Sequence, residues 1–223
     1  EIKGVQFFAN NVDIKAGNLI IESLQDTLKE RMQGMDLSFG ISSQNKQSFG
    51  VKGEMQQRDK AWTQAIGSII GREVVNVAVQ QTLEIAGGLI ANADMDSNGN
   101  VTDKGKANIQ AGKIIARQLH DYDNGYTYGL GINLSRAVDA KTGDIKYGVS
   151  APVKYSFNEK SRDILPTIGK GGIDITSDEV ISGVLNQTIT QHIGGTSSDK
   201  ASLDAKLPIS DIWNALKPKS GVN

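Results

Sequence analysis

An internal duplication constrains the fold of this chain more than any other feature. Residues 11–26 read NVDIKAGNLIIESLQD and residues 106–121 read KANIQAGKIIARQLHD, a match without gaps at a constant offset of 95 residues. Six of the sixteen positions are identical, pairing Ile14, Ala16, Gly17, Ile20, Leu24 and Asp26 with Ile109, Ala111, Gly112, Ile115, Leu119 and Asp121. Such a repeat indicates an architecture in which similar units stack and bury their apolar sides against one another.

Short alternating runs of apolar residues fill both copies and the block between them. In that block, residues 75–91, the apolar residues that set the alternation are Val75, Val77, Val79, Leu83, Ile85 and Leu89. Period-two runs of branched residues form strands with one buried face. Runs this short, separated by Ala-Gly or Gly-Gly corners, suit coils whose strands pair with the coils above and below. The pattern predicts an all-β protein, a right-handed, three-sided parallel β-solenoid (β-helix).

One stretch also has a helical interpretation. Residues 61–83 (AWTQAIGSIIGREVVNVAVQQTL) are rich in apolar side chains, but Gly67 and Gly71 interrupt them and residues 74–79 alternate strictly. We therefore predict strand from Val74 onward. For residues 59–70 the pattern leaves helix and strand open.

Each copy of the repeat is followed by a pair of alternating segments. The first pair is DLSFGISS (36–43) and SFGVKG (48–53), and the second is YTYGLGINLS (126–135) and IKYGVSAPVKYSF (145–157). Two such runs joined by a polar turn, here AKTGD at 140–144, indicate a β-hairpin. We predict two antiparallel hairpin excursions, at about 28–56 and 122–158.

The tail has a different pattern. Thr176 and Glu179 form a potential capping box, and the apolar residues that follow keep helical spacing as far as Ile193. A second short helix is predicted at 210–216. We expect a solenoid domain at 1–175, with its duplicated halves at about 11–70 and 106–175. Residues 176–223 would then be a helical cap or the start of the next domain.

Composition excludes several classes of function. The formal net charge is −1 and the basic residues are scattered, which argues against a nucleic-acid partner. Cysteine is absent, so disulfides, thiolate catalysis and Cys-ligated metals are excluded. No apolar run reaches the ~18 residues of a transmembrane helix. The alternating pattern is already under way at Glu1, so we expect the sequence to be a piece of a longer protein.

Residues 94–103 (DMDSNGNVTD) resemble the first half of a calcium loop. Asp94, Asp96, Asn98 and Asn100 supply oxygen atoms at alternate positions, and Gly99 stands where the loop turns sharply. Gly105 occupies the position of the usual bidentate Glu, so we favour a plain hairpin turn. We expect no metal and no cofactor.

The ionisable residues indicate no catalytic site. His120 and His192 are far apart in sequence, and His120 aligns with Gln25 in the other copy, which favours structural roles. Solenoid enzymes that cleave polysaccharides mount acids and bases along one strand face, whereas the strand carboxylates here are not paired two residues apart. Asp26 and Asp121 are expected to accept hydrogen bonds from turn amides. We predict that the protein is not an enzyme.

Aromatic residues of the second hairpin are the candidate contact residues. Tyr126, Tyr128, Tyr147 and Tyr155 lie on alternating segments, where they can face a partner or a membrane interface. The alternative is that they pack against one another across the hairpin.

The order of these motifs along the chain resembles that of a known family. LIIESLQDT at 19–27 is similar to the LxIxSxQDT signature in the C-terminal haemagglutinin-repeat region of filamentous haemagglutinin and contact-dependent growth inhibition exoproteins. In that family a Gly/Ser-rich hairpin, a Trp-containing segment and an Ala-Gly turn follow, and here residues 36–53, the region of Trp62 and residues 85–94 correspond to them. The resemblance covers roughly residues 5–175.

This resemblance implies a large secreted protein on the surface of a Gram-negative bacterium. Such proteins are exported unfolded through an outer-membrane two-partner secretion transporter and fold outside into a β-helix. The repeat region precedes any toxin domain and is implicated in delivering the toxin across the target cell's envelope. We therefore expect a non-catalytic structural and delivery module. The alternative is an adhesin segment that binds a receptor or glycan on a host or neighbouring cell.

Overall fold

The computed structural model describes residues 1–42, 46–96, 101–177 and 182–208, and over these residues the protein is all-β, as predicted. The strands are β1 (Ile2–Lys3), β2 (Gln6–Ala16), β3 (Leu19–Glu22), β4 (Leu24–Ser42), β5 (Lys46–Ala65), β6 (Ser68–Ala86), β7 (Leu89–Met95), β8 (Val101–Asp103), β9 (Ala107–Arg117), β10 (Leu119–Val138), β11 (Ile145–Ile164), β12 (Thr167–Ile168), β13 (Gly171–Ile175) and β14 (Ile193–Pro208). Within the described ranges the only helical element is a 3₁₀ turn at Ile189–Gln191. None of these segments forms a helix long and apolar enough to span a membrane.

Nine strands form one sheet in which three parallel ladders can be followed. The first ladder stacks residues 11–16 of β2, 74–79 of β6, 107–111 of β9 and 171–175 of β13. The second stacks β1, β3, residues 83–86 of β6 and 113–117 of β9. The third stacks residues 6–9 of β2, 68–71 of β6, 89–92 of β7 and β12. β8 pairs with β7 in an antiparallel manner.

The two copies of the duplication lie in the same two ladders, the first and the second. Ile14 pairs with Val77, and Val77 pairs with Ile109, so corresponding positions stand two strands apart. In the second ladder, a further copy-to-copy match runs from Ile20 through Glu84 to Ile115. The offset of the sequence repeat is therefore the offset of the stacked strands.

Branched aliphatic side chains from these ladders form the core. Ile21 pairs with Ile85 and Leu83 with Ile114, and all four side chains are fully buried. Each such burial stabilises the fold by about 1.5–3 kcal/mol. The alternation in residues 75–91 predicted that Leu83 and Ile85 face inward.

Residues 59–70, for which the sequence left helix and strand open, form strand on both sides of Gly67. β5 extends to Ala65 and β6 begins at Ser68. A Cβ on Gly67 would lie 2.4 Å from the backbone oxygen of Glu22, so this close approach of two chain segments requires glycine.

The chain divides into two compact units. The first contains Glu1–Leu28, Lys60–Asp123 and Lys160–Ser198, and the second contains Lys29–Asp59, Asn124–Glu159 and Asp199–Asn223. The first two segments of the second unit begin and end within three residues of the predicted hairpin excursions. The predicted domain boundary at residue 175 stays a prediction, because compact units made of interleaved segments do not test it.

A five-stranded sheet with the order β14-β11-β10-β5-β4 contains the strands of both predicted hairpins. Neighbouring strands joined by so short a connection run antiparallel. β10 and β11 are joined at the predicted turn, where the Gly143 amide donates to the Asp139 carbonyl at 2.8 Å. The Asp139 carboxylate accepts the Lys141 amide at 2.9 Å, which is the usual role of Asp in a turn.

The helix predicted from Thr176 to Ile193 is wrong over residues 182–193, where the only helical element is the single 3₁₀ turn at Ile189–Gln191. Ser182 and Asn186 make parallel bridges to Ile115 and Thr167, which commits the backbone to an extended path. Gly183 has a φ of 94°, and a Cβ there would lie 1.9 Å from the Ala116 oxygen. Residues 178–181 and the second predicted helix, 210–216, lie outside the described residues.

Candidate functional site

The five-stranded sheet carries an exposed apolar face. Because successive side chains of a strand alternate between faces, apolar residues two apart share one face. Phe39 and Ile41, for example, are 79% and 86% exposed. We define the apolar face by its large side chains, which are Met35, Leu37, Phe39 and Ile41 of β4, Phe49 of β5, Tyr128, Leu130, Ile132 and Leu134 of β10, and Ile145, Tyr147, Val149 and Tyr155 of β11.

Ring contacts and shared lining show that these strands present the same face. The Phe39 and Phe49 rings are 5.0 Å apart, and the Tyr128 and Tyr155 rings are 5.2 Å apart. One surface cleft is lined by apolar residues of β4, β5, β10 and β11 together. Contiguous apolar surface of this kind marks a contact site for protein or membrane.

The opposite face is polar and charged. Lys52 donates to Glu54 at 2.6 Å, and Lys154 donates to the same carboxylate at 3.2 Å. These hydrogen bonds, with one from Gln56, lower the pKa of Glu54 to about 2. The two faces therefore differ strongly in polarity.

Glycines of β10 let side chains reach across the polar face. β10 lies between β5 and β11, yet Lys154 of β11 contacts Glu54 of β5. A Cβ on Gly129 would lie 3.2 Å from the Lys154 Cβ, and one on Gly131 would lie 2.8 Å from the Val51 oxygen. A side chain at Gly129 would therefore crowd Lys154, whose amine reaches Glu54.

The four predicted contact tyrosines divide between the two interpretations made from the sequence. Tyr126 donates a hydrogen bond to Glu159, which raises the pKa of the phenol. Tyr128 and Tyr155 pack on one another across neighbouring strands, so these three residues have partners within the sheet. Tyr147 is 75% exposed and lines the apolar cleft.

Most of the apolar face was missed when only aromatic residues were chosen as candidates. The alternation of Leu37, Phe39 and Ile41 is visible in the sequence, as is that of Leu130, Ile132 and Leu134. Alternation indicates that a strand has two unlike faces, but it does not indicate that the apolar one is exposed. Whether the apolar face is exposed depends on how the strands assemble into a sheet.

Only part of the candidate calcium loop lies within the residues that the structure describes. Asp94 lies in β7, opposite Thr102 of β8, in an antiparallel pair of strands. The plain turn favoured between these strands stays a prediction. Its carboxylate is 3.3 Å from the Lys104 amine and 3.7 Å from the Arg72 guanidinium, two cations that compete with a metal. Asn98 and Asn100 lie outside the described residues. Over the remainder no cluster of three metal-ligating His, Cys, Asp or Glu side chains occurs.

The two histidines have separate partners. Nδ1 of His120 lies 2.8 Å from the Asp163 carboxylate on the surface. His192 is buried, with Nδ1 2.9 Å from the Thr167 hydroxyl. Burial lowers the pKa of His192 to about 4.

The two aspartates of the duplication differ in environment. Asp121 is fully buried and accepts hydrogen bonds from the Thr63 amide and hydroxyl, from Gln25 and from Arg162. Burial disfavours its ionised form, but these hydrogen bonds outweigh burial and lower its pKa. The Arg162 guanidinium also stacks over the Trp62 ring at 4.4 Å. Asp26 is exposed, so only the second copy uses this position inside the fold.

Comparison with known proteins yields no relative: no family model matches the chain, and no curated protein and no solved structure matches it.

Proposed function

We propose that the three parallel ladders are the sides of a right-handed, three-sided β-solenoid. Its support is the order in which the chain visits them. Residues 6–9, 11–16 and 19–22 belong to the third, first and second ladders, and residues 68–71, 74–79 and 83–86 repeat that order. Residues 89–92, 107–111 and 113–117 repeat it again. Coils stacked in this way make a rigid, elongated module.

We further propose that the module belongs to a secreted exoprotein of the haemagglutinin-repeat kind. The support is the LIIESLQDT segment and the ordered hairpins after each copy. A chain without cysteine suits export in an unfolded state, since it can form no premature disulfide. Its partners would be a two-partner secretion transporter during export and then the envelope of a target cell.

The proposed role is non-catalytic delivery, in which the apolar face of the five-stranded sheet contacts a lipid bilayer. The exposed apolar face is the observation that carries this proposal. Tyr147 is 75% exposed on this face, and aromatic residues favour the interfacial region of a bilayer. The face thus combines apolar side chains for contact with lipid and an aromatic residue suited to the interface.

Co-flotation with phosphatidylcholine vesicles tests this role. We expect the protein to float with the vesicles and Ile132→Asp to weaken this binding about tenfold, because a buried charge or unpaired polar group is costly in hydrocarbon. Asn133→Asp is the matched control, since the neighbouring side chain lines the polar face and the charge change is the same. Circular dichroism verifies that both variants fold.

A wild-type protein that stays at the bottom of the gradient would contradict the membrane role. Equal effects of the two substitutions would contradict the role of the apolar face.

The adhesin alternative uses the same surface for a protein or glycan receptor. Exposed aromatic residues such as Phe39 and Tyr147 are enriched at protein interfaces and favour it. Saturable binding to target cells that is lost after protease or glycosidase treatment, without binding to pure lipid, supports adhesion over delivery.

A further inference from the structure

A cleft in the apolar face has apolar walls and one cationic side chain, Arg136. It has a volume of about 500 Å³, within the range of small-ligand sites. Its apolar walls are formed by Phe39, Ile41, Phe49, Leu134, Tyr147 and Val149. The polar groups around it are those of Gln47, Ser48, Ser135 and Arg136, and none of the described residues that line it is a carboxylate.

Arg136 is half-buried at this cleft without a partner. Across the described part of the chain its guanidinium makes neither a hydrogen bond nor an ion pair, although other charged residues of the sheet, such as Lys52 and Lys154, do. A guanidinium held against apolar walls gains most from an anion that presents two oxygens. The cleft is therefore complementary to a molecule with an apolar chain and an anionic head.

We propose that this cleft binds an anionic phospholipid, with an acyl chain against the Phe39, Phe49 and Tyr147 rings and the phosphate on Arg136. This inference rests on the proposed membrane role and adds the chemistry of the lipid. The formal net charge of −1 gives the chain no general attraction to anionic surfaces. A preference for anionic lipid must then come from a local cation.

The experiment compares the affinity of the whole chain for phosphatidylcholine vesicles with that for vesicles containing one third phosphatidylglycerol. We expect binding to the anionic vesicles to be about fivefold tighter, the effect of one basic residue at an anionic surface. Arg136→Gln abolishes this preference, so that the variant binds the two kinds of vesicle equally. Arg136→Lys retains part of it, because the charge remains and the paired donors are lost.

Lys146→Gln is the matched control. It removes the same charge from the same hairpin, but Lys146 precedes Tyr147 and points to the other face. We expect this variant to keep the fivefold preference.

The outcomes separate the inference from the proposed function. Equal binding of the wild-type protein to both vesicles overturns the anionic-lipid site and leaves the membrane role standing. Equal loss of preference in Arg136→Gln and Lys146→Gln also overturns it, since the effect is then general electrostatics. Failure to bind either vesicle overturns both proposals.

Discussion

At the scale of single residues, the hydrogen bonds around His192 favour one tautomer of the neutral imidazole. The Thr167 hydroxyl donates its proton to the Leu165 carbonyl at 3.0 Å, so the imidazole must be the donor to the hydroxyl oxygen. The proton then sits on Nδ1, and Nε2 is a buried acceptor with no hydrogen-bond partner among the residues that the structure describes. Protonation of Nε2 would place a charged donor in a site that has no acceptor for it.

Stability is therefore expected to fall in mild acid through His192. The folded pKa of about 4 lies below the ordinary 6.5, so the unfolded chain binds more protons between these values. The contribution is fully present above pH 6.5 and is lost as the pH falls to about 4. Urea unfolding should show a loss of about 2 kcal/mol between pH 7 and pH 5 that is absent in His192→Gln. The same loss in both proteins would show that other groups cause it.

At the scale of strands, Asp121 links four elements. It lies in β10 and accepts hydrogen bonds from Gln25 of β4, Thr63 of β5 and Arg162 of β11. A buried carboxylate with so many donors is stable only while they stay in place. The register of these four strands around Asp121 therefore depends on one side chain.

Asp121→Asn should lower the free energy of unfolding by about 3 kcal/mol, because it leaves Arg162 without its buried counter-charge. Asp26→Asn is the control supplied by the duplication, since Asp26 occupies the corresponding position but is exposed. We expect the control to change stability by less than about 0.5 kcal/mol. Denaturant unfolding measures both, and similar losses would contradict the assigned role of Asp121.

At the scale of the whole molecule, the features that can be predicted from the sequence are the strands in which apolar and polar residues alternate. The alternation around Ile14 and Ile109 predicted buried strands, and the copies share a parallel ladder. The spacing of Val184 and Leu185 suggested a helix, but Val184 is 84% exposed. Two β-bridges hold this segment extended, one to a residue more than sixty positions earlier and one to a residue about twenty positions earlier. The local spacing of apolar residues cannot reveal such distant partners.

The candidate site was predictable only in part for a related reason. The hairpins and their turn follow from local residues, and the structure places both hairpins in one sheet. The unpartnered state of Arg136 and the opposite polarity of the two faces depend on how four strands assemble. Neither is visible in any one segment.

Disulfide trapping tests the ladder arrangement most directly, because the chain has no cysteine to interfere. Asn76 and Asn108 are partners in adjacent strands, with side chains 3.1 Å apart on the exposed side, whereas Asp13 pairs with Asn76 and stands one strand further from Asn108. Adjacent strands lie about 4.8 Å apart, within the Cα range of a disulfide, and the next strand is beyond it. The account predicts rapid cross-linking of the Asn76→Cys, Asn108→Cys pair and none for Asp13→Cys with Asn108→Cys. Cross-linking of the second pair but not the first would contradict it.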